Sequence, residues 1–204
     1  MRTRSKLALM GLGATILMAF VVSTASARNL SISNQNLRVT FNNLELGIEG
    51  FATTTCHVTL EGSLHSRTIA KVLESLIGYI TRVTTGNCNA GVTILRTLPW
   101  HVRYRGFSGT LPNITLLFIR TMNTTFNVEP GAFINCLATA NIDSRLIRST
   151  ATGELTGAEI PTTEVPLRGG GGFGCPASVG FFRSGGNGSV MLLGATTRIT
   201  VTLI

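Results

Sequence analysis

An antiparallel β-sandwich, a single mainly β domain with one short helix near 66–76, is the fold class the sequence predicts. Three observations predict it. Apolar and polar residues alternate with period two in several short runs, as half-buried strands require. Threonine is abundant while lysine and glutamate are scarce, a balance that favours strands over helices. Turn-forming residues cut the chain into short pieces.

The first segment is a leader. Arg2, Arg4 and Lys6 precede an apolar run from Leu7 to Val22, and Ser23-Thr24-Ala25-Ser26-Ala27 follows. A positive start, a short apolar middle and a small-x-small ending make an export signal, with cleavage expected after Ala27. Gly11, Gly13, Thr15 and Ser23 interrupt the run, whereas a spanning helix needs about 20 mainly apolar residues. The expectation is a secreted or envelope-associated domain over 28–204, with no membrane span once residues 1–27 are removed.

The strands follow in order. Leu37, Val39 and Phe41 alternate with Arg38 and Thr40, and Cys56, Val58 and Leu60 share one face of Cys56–Glu61. In Trp100-His101-Val102-Arg103-Tyr104-Arg105, the alternation turns Trp100, Val102 and Tyr104 inward and His101, Arg103 and Arg105 outward. Ile114–Arg120 and Thr125–Val128 read as further strands. Ser189–Leu193 and Thr196–Ile204 read as a hairpin turning near Gly194-Ala195.

Two stretches read differently. Ile69, Val72, Leu73, Leu76, Ile77 and Ile80 recur at helical spacing behind Ser66, a capping residue type, so a helix is expected over Ser66–Ser75. Ile77, Tyr79, Thr81 and Val83 also alternate, which makes Ile77–Thr84 a strand. At about 141–174, Pro161, Pro166, the charged residues and Gly169–Gly172 suggest a flexible loop or a weakly paired edge.

Charge and cysteines bound the chemistry. The whole chain carries 17 basic and nine acidic residues; three basic residues leave with the leader, so 14 against nine give +5. A basic balance favours anionic surfaces, but the arginines stand singly, which speaks against a specific nucleic-acid site. Four cysteines in an exported chain indicate disulfides. Of three pairings, Cys56–Cys88 with Cys136–Cys175 keeps each loop within one half of the chain. Loops of that length contribute about 3.5–4 kcal/mol each on the chain-entropy model. No Cys-x-x-Cys occurs, so no metal is expected, and no cofactor motif is present.

Candidate catalytic groups are sparse. The histidines are His57, His65 and His101, and the only aspartate is Asp143. A hydrolase would have to use His101 with Ser108 or Asp143. No Gly-x-Ser-x-Gly elbow is present, and Gly106-Phe107-Ser108-Gly109 lacks its spacing. Glu154, Glu159 and Glu164 fall in the loop-like stretch, a poor frame for paired carboxylates. The four glycines lead into Cys175-Pro176, not into a helix with Lys-Ser, so they are no phosphate loop. Sequons occur at Asn29, Asn113, Asn123 and Asn187.

Leu98-Pro99-Trp100-His101-Val102-Arg103-Tyr104 holds the only tryptophan. Together with Cys56, Leu60-Glu61-Gly62-Ser63, Gly78-Tyr79-Ile80 and the Thr-Val-Thr-Leu-Ile ending, it resembles a group of short exported actinobacterial proteins without an assigned activity. The order of cysteine, Gly-Ser strand, cysteine and Leu-Pro-Trp is also faintly similar to secreted alkane-oxidation activators. Neither resemblance implies catalytic or binding residues.

The functional expectation is an exported, non-enzymatic binding or structural protein of the cell envelope. His101, Arg103 and Arg105 are its candidate binding residues. Its partner is expected to be an anionic envelope polymer or another envelope protein, and self-association through strand edges is a further expectation.

Overall fold

A computed structural model describes residues 29–48, 52–89, 91–94, 97–131, 134–169, 175 and 179–204. The predicted leader lies outside them, as do residues 170–174. Fourteen strands occur among the described residues: β1 Asn29–Ile32, β2 Asn36–Ile48, β3 Ala52–Leu64, β4 Thr68–Ala70, β5 Leu76–Gly86, β6 Gly91–Ile94, β7 Trp100–Thr110, β8 Asn113–Gly131, β9 Ile134–Arg148, β10 Leu155–Glu159, β11 Thr163–Gly169, β12 Val179–Ser184, β13 Ser189–Leu192 and β14 Val201–Leu203.

The fold is mainly β and sandwich-like, with antiparallel sheets packed together as the alternation predicts. The large sheet closes on itself. β2 pairs β3, and the ladder runs on through β5, β7, β8, β9, β11 and β12 back to β2, every step antiparallel. The ring follows chain order, a meander whose consecutive strands are neighbours. A second closure joins β10 to β13, where Ala158 and Gly188 exchange backbone hydrogen bonds of 2.9 and 2.7 Å. Only glycine fits there, because a Cβ at Gly188 would meet the Phe41 ring at 2.7 Å.

β14, β1 and β4 form a three-stranded sheet across one end of this ring. Leu30, Ile32, Ile69 and Val201 of that cap are all at most 3% exposed. The core inside the ring comes from the inward half of each alternation, with Phe126 of β8 stacked on Phe182 of β12 at 5.1 Å. Arg38, Glu61, Arg103, Arg120 and Asp143 face outward, with side chains 13–46% exposed where they enter ion pairs. Charges outside and aliphatics inside reverse the pattern of a barrel that faces lipid.

Two of the predicted elements are corrected. No helix occurs among the described residues, so the helix expected near 66–76 is absent. Its spacing came from two strands that meet the same core: Ile69 of β4, with Ile77 and Ile80 of β5, is buried, while Val72, Leu73 and Leu76 are exposed. A helix would have buried all six on one stripe. The stretch from 141 to 169 is no loop either. It holds the end of β9 and the whole of β10 and β11, and Asp143, Arg145, Glu164 and Arg168 occupy outward strand positions. The tight turn expected near Gly194 is present, with Ala195 N donating to Leu192 O at 3.1 Å. The strands it joins do not pair as a hairpin: β13 joins β2 and β14 joins β1.

The bridges are Cys56–Cys88 and Cys136–Cys175, the sequential pairing. Two disulfides are compatible with an extracellular location.

Candidate binding face

Strand β7 sits at the centre of the best-furnished outer face. Trp100, Val102 and Tyr104 are 4, 7 and 3% exposed, so the inward set is fully committed to the core. Burial raises the Tyr104 phenol above its ordinary pKa. The alternation then leaves His101, Arg103 and Arg105 outside, with His101 exposed and both arginines half-buried.

Register aligns these side chains with partners on neighbouring strands. Leu76, Arg103, Arg120 and Asp143 stand opposite one another across β5, β7, β8 and β9. Arg120 donates from Nε and Nη2 to the two carboxylate oxygens of Asp143, both at 2.7 Å. That bidentate hydrogen bond, reinforced by the charges of Arg120 and Arg105, holds the Asp143 carboxyl below its ordinary pKa. The same bond raises Arg120. Arg105 Nε lies 4.0 Å from Asp143, and Arg105 also pairs with Glu74. Arg120 reaches Glu74 at 3.8 Å, and Arg103 Nη1 donates to the Glu74 carbonyl at 3.0 Å.

An aromatic row adjoins this network. The rings of His65 and Tyr79 meet edge-on at 4.6 Å, and those of Tyr79 and His101 at 4.9 Å. Tyr79 and His101 are direct cross-strand partners. Arg82 lies further along β5, 72% exposed, 3.6 Å from Glu61, which also holds Arg38 at 2.8 Å. The face therefore presents edge-on rings beside guanidinium groups, an arrangement that can stack on sugar rings and meet anionic groups.

Sequence alternation located His101, Arg103 and Arg105 on this face but missed His65, Tyr79, Glu74 and Arg120. Period two groups Tyr79 with Ile77; register shifts between Glu61 and Gly62 and between Leu76 and Gly78 separate them. Ile77 turns in and Tyr79 out. A bulge of this kind leaves no clear mark in the residues themselves.

The hydrolase arrangement is not brought together. Ser108 lies seven residues along β7 from His101, roughly 20 Å at strand rise, and pairs with Leu116. Asp143 stands two strands from β7 with its carboxylate engaged by Arg120 and Arg105. Among the described residues no group of three or more His, Cys, Asp or Glu side chains could hold a metal ion.

The interior offers little room. Cavities of about 40 and about 70 Å³ lie in the core, the first beside Trp100, Phe126 and Phe182, the second under the cap beside Ile32, Ile69 and Val190. Small-molecule pockets run to about 300–1,000 Å³, so the ring encloses a packed core. An open polar hollow of about 240 Å³ lies between Glu159–Thr162 and Arg183–Asn187. Its one arginine is taken by Glu45, at 2.6 Å.

No known protein family matches the chain, and no curated protein or solved structure is similar to it. The functional reading therefore rests on the geometry.

Proposed function

We propose that this chain is an exported, non-enzymatic binding module whose outer β5–β7–β8 face takes an anionic polymer of the cell envelope. The observation that carries the reading is the His65–Tyr79–His101 row set beside Arg103, Arg105 and Arg120 on one open face. The inward residues of β7 are spent on the core, so the outward row is free to serve a partner without cost to the fold. The Glu74 and Asp143 pairs fix the arginines in position, which reduces the ordering cost of binding. Tyr79 and the histidines supply apolar ring surface for sugar, and Arg82, 72% exposed, supplies an accessible cation.

The test is retention of the processed chain, Arg28 onward, on isolated cell envelopes and on a soluble acidic polysaccharide. Binding should weaken as salt rises, because exposed charges are screened. Tyr79→Ala and His101→Ala should each weaken it about fivefold, an effect on the scale of one lost aromatic contact. Retention indifferent to salt and to both substitutions would remove the proposal, and would leave a protein partner or a structural role.

A further inference from the structure

The second surface lies at the capped end of the ring. Among the described residues, seven large apolar side chains are exposed, and six belong to this end: Val72, Leu73, Leu76, Leu111, Leu193 and Ile204. Topology gathers them. The β4–β5 connection and the β7–β8 turn lie at the same end, because Leu76 pairs with Arg103 and β7 then runs on to Thr110. Leu193 N donates to Asn36 O at the start of β2, and Ile204 exchanges hydrogen bonds with Asn29 of the cap.

Val72 and Leu73 are the most exposed of the set, at 60 and 63%. They are held out, not left to collapse. Ser75 N donates to Val72 O at 3.1 Å, and Glu74 takes a left-handed φ of 62°. Glu74 N donates to Tyr104 O at 2.8 Å and Tyr104 N to Ser75 O at 3.0 Å, so the turn is tied to the edge of β7. The Glu74 side chain is locked by Arg105. An aliphatic pair fixed in water by this many contacts has no role in the core.

Cations lie along this end of the molecule, Lys71 next to Val72, and Arg67 and Arg198 toward the Ile32 end of the cap strands. Arg67, Lys71 and Arg198 are not buried, and no ion pair is found for them among the described residues. Lys71 Nζ stands 5.5 Å over the Phe107 ring. The acids of this end are Glu74, already paired, and Glu154, beside the cap strand at Thr200. The apolar groups are separate protrusions on three connections and two strand ends, at an end that also carries positive charge. A stable protein–protein interface needs about 800 Å² of matched surface on each partner, which separate tips do not supply. Shallow insertion of aliphatic tips with cations at headgroup level needs no such continuity.

From this charge and shape, we propose that the capped end rests on a bilayer surface bearing anionic headgroups, with Val72 and Leu73 inserted and Arg67, Lys71 and Arg198 facing the headgroups. The contact is peripheral. It is independent of the polymer face, since Tyr79 and His101 take no part in it.

Co-sedimentation of the chain from Arg28 onward, which contains every described element, tests this. The probes are phosphatidylglycerol–phosphatidylcholine vesicles and phosphatidylcholine vesicles alone. The chain should pellet with the mixed vesicles and at least several-fold less with the neutral ones. Leu73→Asp should weaken partitioning about tenfold, the loss of roughly one aliphatic insertion, with an unchanged unfolding midpoint. Val72→Asp should do the same, while Tyr79→Ala should leave vesicle binding intact. Equal binding of Leu73→Asp and the parent chain overturns the proposal, as does absence of binding to the mixed vesicles. A dimer in dilute solution that Leu73→Asp dissolves, without vesicle binding, overturns it in favour of a second copy as occupant. Polymer retention that survives Leu73→Asp shows that the two surfaces act separately.

Discussion

The two ends of the ring are closed by different means. At one end both disulfides lie on the strand ends: Cys56 of β3 is tied to Cys88 just past β5, and Cys136 of β9 to Cys175. At the other end no disulfide crosses; a three-stranded sheet buries Leu30, Ile32, Ile69 and Val201 against the core instead. A covalent tie acts largely by restricting the unfolded chain, whereas a packed cap acts through apolar area removed from water. The packed end also carries six of the seven exposed large apolar side chains among the described residues. Its inner surface is committed to stability and its outer rim is left for contact.

Four measurements test that contrast. Reduction of both bridges should have the largest effect. Loops with separations of 32 and 39 residues contribute about 3.5–4 kcal/mol each on the chain-entropy model. Urea unfolding with and without reductant measures it, and an unchanged midpoint would deny the covalent end its role. Leu30→Ala comes next. Leu30 is 0% exposed under the cap, and truncating such a residue costs about 2–5 kcal/mol. A loss far below that range would mean that the cap is an ornament and not the closure.

The wall between the ends should respond more weakly. Asp143 has a folded-state pKa below its unfolded value, chiefly through the Arg120 hydrogen bond. A depressed carboxyl contributes stability that is complete above the unfolded pKa, about 3.9, and is lost as pH falls through the folded value. Asp143→Asn should therefore flatten part of the acid limb of a stability–pH curve. The side chain is 46% exposed, so the effect at neutral pH should stay near the surface-pair range of about 0–1 kcal/mol. The smallest effect on stability belongs to Leu73→Asp. At 63% exposure it should change the unfolding free energy by no more than about 0.5 kcal/mol, while changing vesicle binding as described above. A large loss of stability would mean that the tip serves the fold.

Several features of the fold were legible in the residues. Alternation locates β2, the centre of β3, β7 and the start of β8, and it sorts Trp100, Val102 and Tyr104 from His101, Arg103 and Arg105. Cysteine spacing favoured the bridges that form. The helix over Ser66–Ser75 failed because helical spacing arises by accident when a short strand, a turn and a second strand each contribute one or two apolar residues. The segment from 141 to 169 failed for a related reason. Asp143 and Arg145 fall in the stretch expected to be a loop or a weakly paired edge, yet they are part of the outward half of β9. Pro166 sits in β11 at the last pair of the β11–β12 ladder, opposite Val179, just before the β11–β9 ladder begins at Leu167.

The residues alone determined what is local: which runs extend, which side chains prefer water, and which cysteines lie close enough in the chain to close short loops. These follow from period-two geometry, side-chain transfer energies and loop entropy, all functions of near neighbours in sequence. The tertiary structure alone decided that the ladder closes into a ring, that β1, β4 and β14 meet as a cap, and that Glu74 joins Arg103, Arg105 and Arg120. Those outcomes depend on register between strands separated by tens of residues, and a single bulge reverses a whole face. For this reason the candidate binding face could be begun from β7 but completed only in three dimensions.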